Sequence, residues 1–320
     1  MFFVRIQLVL GLFCLFTACQ TSQSNSVETS IENEGVQLIV LGTVQDGGSP
    51  HLGCTKSCCS DLTAEQKAKR MVSCLGLVNN KTHEYWVFDA SPDFSKQDEW
   101  LHKEYAHLKP QAAGIFLTHA HIGHYTGLMY LGREAQNAQQ LPVYAMPRML
   151  HFLKNNGPWS QLVDLKNIAL VPITSGESQT IDQQIKVTPI VVPHRDEFSE
   201  TVGYHITGPT KSALFIPDID KWNRWDEDIN EWIGKVDYAF LDATFYDGDE
   251  LKNRAMSEIP HPFVVESIAQ FETLSETDKR KIYFIHLNHS NPLLLENSAQ
   301  SLKLKAQPYQ VARLGLKVNL

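Results

Sequence analysis

The stretch Thr118-His119-Ala120-His121-Ile122-Gly123-His124 places three histidines within six residues, directly after the apolar run at 114–117. A strand that ends in this pattern delivers several imidazoles to one loop. Neutral imidazole is the commonest protein ligand for zinc and many other metals. Packing alone rarely explains three histidines this close together, so the stretch predicts a metal site at the end of a strand.

The composition is that of a globular protein, with 43% hydrophobic and 20% charged residues in a chain of 320. Because no Gly/Pro-rich linker interrupts the chain after residue 36, we expect one catalytic domain over residues 36–320. The net charge of −8 argues against a broad basic face for nucleic acid. We therefore expect a small-molecule substrate, while the oligomeric state is not encoded in any recognisable pattern.

The N-terminus has the pattern of a targeting segment. An apolar run at 6–18 is too short to span a bilayer comfortably, and it ends in Leu15-Phe-Thr-Ala-Cys19. Small residues before a cysteine resemble the lipobox of bacterial lipoproteins. This resemblance predicts a signal peptide at 1–18, a lipid anchor at Cys19, a polar tether at 19–35, and an exported, membrane-anchored protein facing the periplasm or the surface. An ordinary signal peptide or an uncleaved anchor is the alternative.

Strand-like and helical patterns alternate along the rest of the chain. Two groups of strands are interleaved with helices that must cover their outer faces, which predicts an α/β fold with two packed sheets, a four-layer αββα sandwich. The predicted strands are 36–41, 74–78, 85–89, 114–118, 168–173, 185–192, 202–207, 213–217, 236–241 and 281–286, and the predicted helices are 93–104, 124–138, 148–155, 221–234, 262–271 and 292–302.

Single metal-binding side chains follow several of these strands. Asp89, His194, Asp218 and His286 each stand at the exit of an apolar run. Any one of them is explained as a turn cap. Because strand ends converge at one edge of a sandwich, the four together with the histidine triplet predict a shared metal cleft.

The order and spacing of these residues resemble the metallo-β-lactamase fold superfamily. Within it the chain is similar to the coenzyme PQQ biosynthesis protein B group and to the phosphodiesterase of the carbon–phosphorus lyase pathway. The segments that carry the resemblance are Val40-Leu-Gly42, Asp46-Gly-Gly-Ser-Pro50, the cysteine cluster at 54–59, Leu241-Asp-Ala-Thr-Phe245, Ile259-Pro-His261 and His286-Leu-Asn-His-Ser-Asn-Pro292.

The resemblance implies a role for each motif residue. One or two catalytic zinc ions are expected, with Mn²⁺ or Fe²⁺ as alternatives. Asp218 is implied to bridge both ions and to be catalytic, Asp89 to be a buried acid that orders the loop, and His261 to be a catalytic residue near the site. The implied first-metal ligands are His119, His121 and His194, and the implied second-metal ligands are His124 and His286.

One position departs from the family pattern. The superfamily usually has aspartate where this chain has Gly123, and glycine offers no side-chain ligand. We therefore expect a second site that is weakened, and a Gly123→Asp variant that binds the second ion more tightly. The alternative is that another residue, such as His51 or His261, fills the gap.

A cysteine-rich loop predicts a further metal site. Cys54, Cys58 and Cys59 lie on one short segment, and His289 follows His286 by three residues. In the phosphodiesterase relative, a similar loop and histidine hold a structural zinc, which implies the same for these four residues. Because an exported protein can hold disulfides, a bond from Cys54 to Cys58 or to Cys59 is the alternative.

These observations predict an exported, lipid-anchored, metal-dependent hydrolase. Metal-activated water is expected to attack an ester-type bond, with a phosphodiester as the first candidate. The alternative from another class is an iron oxygenase of the PQQ-biosynthesis type or a non-hydrolytic metal-binding accessory protein.

Overall fold

Two seven-stranded sheets make up the centre of the molecule. A computed structural model describes residues 1–2, 35–251 and 256–320, and Glu34–Leu320 cluster into one compact unit. The predicted signal peptide, tether and lipid anchor at Cys19 lie outside the described residues. Among the residues that are described, no helix has the length and apolar character needed to cross a bilayer.

The first sheet has the strand order β14-β1-β2-β3-β4-β5-β6. Its parallel part is formed by β3 to β6, whereas β1 pairs antiparallel with β2 and β14. The strands are β1 (Val36–Gly42), β2 (Cys74–Asn79), β3 (Glu84–Phe88), β4 (Gly114–Phe116), β5 (Leu141–Ala145), β6 (Ile168–Pro172) and β14 (Lys317–Asn319).

The second sheet has the order β13-β12-β11-β10-β9-β8-β7. Strands β10 to β13 run parallel, and β7 to β9 form an antiparallel meander that joins them. The strands are β7 (Gln179–Asp182), β8 (Ile185–Val191), β9 (Val202–Thr207), β10 (Ser212–Ile216), β11 (Tyr238–Asp242), β12 (Ile282–Ile285) and β13 (Gln310–Val311).

Helices lie along the chain between these strands. They are α1 (Ser57–Ser60), α2 (Ala64–Ala68), α3 (Phe94–Glu104), α4 (Ile122–Tyr125), α5 (Pro147–Asn155), α6 (Trp159–Asp164), α7 (Ile229–Lys235), α8 (Val264–Gln270), α9 (Glu276–Lys279) and α10 (Ala299–Lys305), and short 3-10 helices cover Thr126–Leu131, Trp222–Arg224, Gly248–Leu251, Met256–Glu258 and Pro292–Leu294.

Three apolar cores separate four layers. Side chains from the inner faces of both sheets, such as Phe88 and Phe215, form the central core. The outer face of the first sheet packs against α3, α5 and α6, through residues that include Leu101 and Leu153. The outer face of the second sheet packs against α7, α8 and α10, with Ile233 among the buried contacts. The predicted αββα sandwich is confirmed.

Three predicted helices are shorter than the sequence pattern suggested. The helix expected at 124–138 is only α4 followed by a 3-10 helix, because the Gly127 N–H donates to the Ala90 carbonyl at 2.9 Å, outside the helix. The helix expected at 221–234 begins only after Asp228, whose side chain caps α7. The helix expected at 292–302 starts late for the same reason, with Ser298 as the cap of α10.

Strand β5 was missed because it contains Pro142, which usually marks a sheet edge. Here β4 pairs with β5 only at Val143 and Tyr144, so the missing N–H of Pro142 does not interrupt that ladder.

The strand ends that face the cleft have unusual backbone conformations. Asp89 follows β3 with φ of 67°, and His286 follows β12 with φ of 63°. Non-glycine residues rarely adopt this left-handed region, and where they do the strain often lies at a functional site. Both turns direct a polar side chain away from the strand and toward the carboxyl edge of the sheets.

Candidate metal centre

One oxygen of Asp218 is the geometric centre of the cleft. Asp218 follows β10, and its Oδ2 lies 3.3 Å from His194 Nε2, 3.4 Å from His119 Nε2 and 4.0 Å from His121 Nδ1. His119 Nε2 and His121 Nδ1 are themselves only 2.8 Å apart. These four side chains form the first half of the centre and present three nitrogens and one oxygen to a common point.

The same Asp218 oxygen also faces a second group of side chains. It lies 3.8 Å from His124 Nε2 and 3.9 Å from His286 Nε2. Between these two rings lies Asp46, whose Oδ1 is 3.0 Å from His124 Nε2 and 3.2 Å from His286 Nε2. Asp46, His124, Asp218 and His286 form the second half of the centre.

The histidine rings are fixed from behind by oxygen atoms. His119 Nδ1 lies 2.9 Å from Thr118 Oγ1, and His124 Nδ1 lies 2.7 Å from Asp89 Oδ2. His194 Nδ1 is 3.2 Å from Asp220 Oδ1. Partners on the outer nitrogen orient an imidazole and set its tautomer, so the inner Nε2 is left with a lone pair for a metal.

Unsatisfied buried atoms test whether this centre suits a cation. In the part of the chain that the structure describes, His194 Nε2 and Asp218 Oδ1 are buried and make no hydrogen bond of good geometry, although the His261 ring lies 3.1 Å from Asp218 Oδ1. Buried polar atoms are normally paired, because an unpaired one keeps the full cost of leaving water. Nitrogen and carboxylate donors around one point suit zinc and other divalent transition metals. The residues therefore fit a metal centre.

For Asp218 and His119, the surroundings favour the protonation states that bind metals. Burial opposes ionisation of Asp218, but His194, His261 and His286 together hold the pKa of this carboxyl well below its usual value. Burial, reinforced by the neighbouring His124, lowers the pKa of His119 well below the ordinary histidine value. His119 is thus neutral and Asp218 is ionised, the forms in which each donates electrons to a metal.

His261 faces the centre from the second sheet. Its Nδ1 lies 2.9 Å from Asp242 Oδ2 and 3.1 Å from Asp218 Oδ1. Burial disfavours the charged ring, but the carboxylates of Asp242 and Asp218 raise its pKa well above the usual value. The side chain keeps 13% of its surface exposed. A proton-carrying ring with one edge toward solvent is therefore held at the mouth of the cleft.

All of the predicted cleft residues meet at this one place, together with partners that sequence reasoning missed. Asp89 is fully buried and accepts hydrogen bonds from the Thr118 backbone N–H and hydroxyl at 2.8 and 3.0 Å. The missed partners are Asp46, Thr118, Asp220 and Thr244, and Asp242, at the end of β11, also lies at the cleft beside His261. Among these, Asp46 and Thr244 lie in segments already noted for their resemblance, and Thr118 directly precedes the histidine motif.

Neither residue suggested for the gap at position 123 fills it as expected. His51 stacks near His289, with ring centroids 4.5 Å apart, and belongs to the cysteine loop. His261 lies on the Asp242 side of Asp218. The expectation that Gly123→Asp would tighten the second site conflicts with the position of Asp46, because a Cβ at 123 would lie 2.5 Å from Asp46 Oδ1 and 2.7 Å from its Cα.

The cysteine loop forms a separate cluster. The donor atoms of Cys54, Cys58, Cys59 and His289 all lie within 4.8 Å of one another, and the three cysteines are free thiols. The Sγ atoms of Cys54 and Cys58 are 3.9 Å apart. Two sulfurs on a tetrahedral zinc with Zn–S of about 2.3 Å are about 3.8 Å apart, whereas a disulfide bond is about 2.05 Å long. The spacing matches a shared metal.

A four-layer sandwich with histidines and carboxylates gathered at its strand ends defines a class of metal-binding αββα proteins. Comparison with known families places the chain within that class. The family described as Beta-lactamase superfamily domain matches residues 85–287, and the chain belongs to this superfamily.

Individual relatives resemble the chain over nearly its full length. Coenzyme PQQ synthesis protein B from Gluconacetobacter diazotrophicus is 24% identical over 314 residues, covering 89% of this chain and 99% of that protein. The protein of the same name from Klebsiella pneumoniae (strain 342) is 27% identical over 310 residues, covering 88% and 97%. The resemblance thus includes the segments on both sides of the family match.

Solved structures give the same fold. Zinc-bound PqqB from Methylobacterium extorquens superposes with a TM-score of 0.71 at 22% identity, over 89% of this chain and 100% of that one. A new diphosphatase from the PhnP family superposes with a TM-score of 0.63 at 21% identity, over 89% and 97%. The predicted resemblance to both groups is confirmed at the level of fold.

Proposed function

We propose that this protein is a metal-dependent hydrolase of an ester-type bond, with a phosphodiester as the first candidate. The observation that carries the proposal is the set of five imidazole nitrogens within 4.0 Å of one buried carboxylate oxygen of Asp218. A divalent cation held at such a centre makes water a stronger acid and withdraws charge from the scissile group. Zinc is the proposed metal, with Mn²⁺ or Fe²⁺ as alternatives.

Asp218 and His261 have separate roles in the proposed reaction. Asp218 stays ionised and aligns both groups of histidines. Because the pKa of His261 is raised, its ring carries a proton on both nitrogens, and Nδ1 donates to Asp242. In the described part of the chain, its Nε2 makes no hydrogen bond and lies on the ring edge opposite the buried carboxylates. We assign to this nitrogen the transfer of a proton to the leaving group.

The surroundings of His261 support an anionic substrate. A cavity of about 420 Å³ adjoins Pro262, and the cationic side chains of Lys221 and Arg224 line it. Both cations are paired with carboxylates, Lys221 with Glu266 at 2.5 Å and Arg224 with Asp220 at 3.1 Å. A phosphoryl group can bind Lys221 and Arg224 in place of these carboxylates, and charge-assisted contacts of this kind are strong. The diphosphatase with the same fold is consistent with this substrate class.

The test combines elemental analysis with a substrate panel. The full-length chain is loaded with Zn²⁺ or Mn²⁺ and assayed on bis(p-nitrophenyl) phosphate, a cyclic nucleotide, p-nitrophenyl acetate and a chromogenic β-lactam. We expect phosphodiester turnover that His194→Ala abolishes. His261→Asn should keep the metal content, because the amide can replace Nδ1 as a donor to Asp242, but it should lower turnover. A metal-loaded protein that hydrolyses no member of the panel would contradict the proposal.

A second function is favoured by the comparisons. The coenzyme PQQ synthesis protein B relatives align over nearly their whole length, which supports an oxygenase or accessory role of that type. The assay that distinguishes it is oxygen consumption by the protein loaded with Fe²⁺. Iron-dependent oxygen uptake without hydrolysis would favour this role, whereas hydrolysis with zinc or manganese would exclude it as the main activity.

We also propose that the cysteine cluster holds a structural zinc ion. Three soft thiolate donors and one imidazole complete a closed tetrahedral set with no open position for water. The cluster joins the loop after β1 to the segment after β12, because Cys54, Cys58 and Cys59 lie on the former and His289 lies on the latter. Its proposed role is to fix this junction rather than to take part in catalysis.

Export and lipid anchoring at Cys19 form a further proposal, which rests on Leu15-Phe-Thr-Ala-Cys19 alone. A lipidated protein should incorporate labelled fatty acid and sediment with membranes, whereas Cys19→Ser should lose the label and become soluble. Membrane retention of Cys19→Ser without lipid would instead indicate a hydrophobic anchor.

A further inference from the structure

We propose that Asp46 is a metal-binding residue that replaces the missing carboxylate at position 123, and that Gly123 is glycine in order to make room for it. The inference rests on the proposed metal centre and specifies how its second half is completed. The carboxylate comes from the loop after β1, a different segment from the one that carries the three histidines.

The space at Gly123 is the first step of the argument. A Cβ built on Gly123 would lie 2.5 Å from Asp46 Oδ1, 2.6 Å from its Cγ and 2.7 Å from its Cα. Gly123 is a helical residue of α4 and is not one of the positive-φ glycines of the described chain. Its backbone conformation suits any residue, so conformational freedom does not explain the glycine. What explains it is the close approach of Asp46.

The loop that carries Asp46 is fixed by the backbone of the residues directly before it. Gln45 N–H donates to the Leu287 carbonyl at 2.9 Å, and Leu287 N–H donates to the Thr43 carbonyl at 2.8 Å. Val44 forms isolated bridges to Val72 and to Leu287. Since Leu287 directly follows His286, these bonds place the Asp46 carboxylate beside the His286 ring. The position is set by the backbone rather than by a mobile side chain.

The surroundings of Asp46 Oδ1 are those of a metal ligand. Asp46 Oδ1 lies within 3.2 Å of the inner Nε2 atoms of both His124 and His286, and its side chain is only 12% exposed. The outer nitrogen of His124 is already bound to Asp89 and that of His286 lies 3.0 Å from Thr244 Oγ1. The two rings thus need no further carboxylate to orient them. A carboxylate oxygen among two Nε2 atoms and Asp218 instead gives a mixed nitrogen–oxygen set that suits a divalent ion.

A double-mutant cycle tests whether Asp46 replaces the missing carboxylate at position 123. Zn²⁺ is titrated against a competing chromophoric chelator into the wild-type chain, Asp46→Ala, Gly123→Ala and the double variant, with Gln45→Ala as a control in the same loop. Thermal unfolding of each chelator-treated protein is measured in parallel. We expect Asp46→Ala to weaken one zinc-binding step of the histidine centre by about 10–100-fold and to leave the tighter step unchanged.

Gly123→Ala should give a similar loss, because its methyl group displaces the Asp46 carboxylate. The double variant should be no weaker than the weaker single variant, since both changes remove the same contact. Asp46→Asn keeps the shape but removes the charge, and provides a second variant if Asp46→Ala does not fold.

The contradicting outcomes are distinct. If the wild-type centre binds one zinc ion only, both the inference and the two-metal form of the proposed function are wrong. If it binds two ions and neither Asp46→Ala nor Asp46→Asn alters either affinity, Asp46 is no ligand, while the proposed function stands. Equal loss of melting temperature in the chelated variants, with zinc affinities unchanged, would show that Asp46 is a structural partner of the histidines.

Discussion

The two halves of the metal centre are built in different ways. In the first half, His119 and His121 come from a single motif, and His194 and Asp218 complete it from the ends of neighbouring segments. In the second half, His124 meets Asp46 from the start of the domain and His286 from near its end. Both halves therefore depend on tertiary contacts, but the first half takes two of its four residues from one motif, whereas the second half takes each of its four residues from a different segment.

This difference explains why the motif tolerates a lost carboxylate. The first half has no substitute for a histidine within the motif. The second half is bordered by the loop after β1. A carboxylate can therefore reach it either from position 123 or from position 46 on that loop. A glycine at 123 and an aspartate at 46 are thus two parts of one arrangement, and a change in either one alone should disturb it.

The largest effect is expected from Asp218→Ala, because Asp218 is the one residue shared by both halves. Its removal leaves the three histidines of the first half with no carboxylate between them and the second half with Asp46 alone, so two cations would face each other with less compensating charge. We expect the metal content of the histidine centre to fall by more than for His194→Ala, and turnover to be lost. Elemental analysis after gel filtration measures the metal content.

Asp164→Ala provides the control for this variant, since Asp164 is an exposed carboxylate at the end of α6. Full metal content and full activity in Asp218→Ala would contradict the shared position of this residue and with it the division into two halves.

A smaller and selective effect is expected from Asp89→Asn. Asparagine tolerates the left-handed backbone of this residue, but its amide has one acceptor where the carboxylate serves both Thr118 and His124. Zinc binding in the second half should weaken about 10-fold or more, as for other partners that orient metal-binding histidines.

The matched variant is Asp220→Asn, which loosens His194 in the first half. Its effect should be weaker, because Asp220 is 16% exposed and also binds Arg224. Competitive zinc titration resolves the two binding steps. If both variants weaken the same zinc-binding step, the two halves do not bind zinc independently.

Cys54→Ser should produce an indirect effect on the second half. The cysteine loop follows Asp46 within the same segment, and its backbone contacts the cluster through His51 N–H, which donates to Cys59 Sγ at 3.4 Å. Loss of the cluster's zinc should weaken the Asp46-dependent step by about 3- to 10-fold and leave the first half unchanged. Elemental analysis and zinc titration measure the two effects separately.

The control for this experiment is the reverse variant, His119→Ala with His121→Ala, which should keep the cysteine-bound zinc. A wild-type protein whose mass is two hydrogens lower, with no thiolate-bound metal, would show a disulfide and exclude the zinc assignment.

The smallest effect is expected from Glu197→Gln. Glu197 Oε2 lies 3.5 Å from His121 Nε2, but the carboxylate is 51% exposed. Exposed charge pairs contribute little, so zinc affinity of the first half should change by less than about threefold. A larger loss in the same titration would mean that Glu197 orients His121 as Asp89 orients His124.

Much of the sandwich and most of the centre could be predicted from the sequence. Apolar strands with a single polar residue at the exit, as at Asp89 and His286, are a local signal, and strand ends must converge in two packed sheets. The histidine triplet is equally local. Each of these predictions required only the chain near the residue concerned.

Asp46 could not be assigned in this way. Its role follows from its closeness to Gly123, 77 residues later, where a Cβ would lie 2.5 Å from Asp46 Oδ1. No periodicity in the sequence predicts such a contact. The short helix α4 shows the same limitation, because the tertiary contact at Gly127, not the local apolar pattern, ends the regular helix there.

The contact between Asp46 and His286 spans 240 residues, and that between Asp46 and His124 spans 78. Contacts this distant along a chain form only after the large entropy cost of loop closure has been met. During synthesis, the first motif leaves the ribosome long before His286 does, so the second half is among the last features to assemble. We therefore expect metal uptake at the second half during refolding to follow the docking of the two sheets.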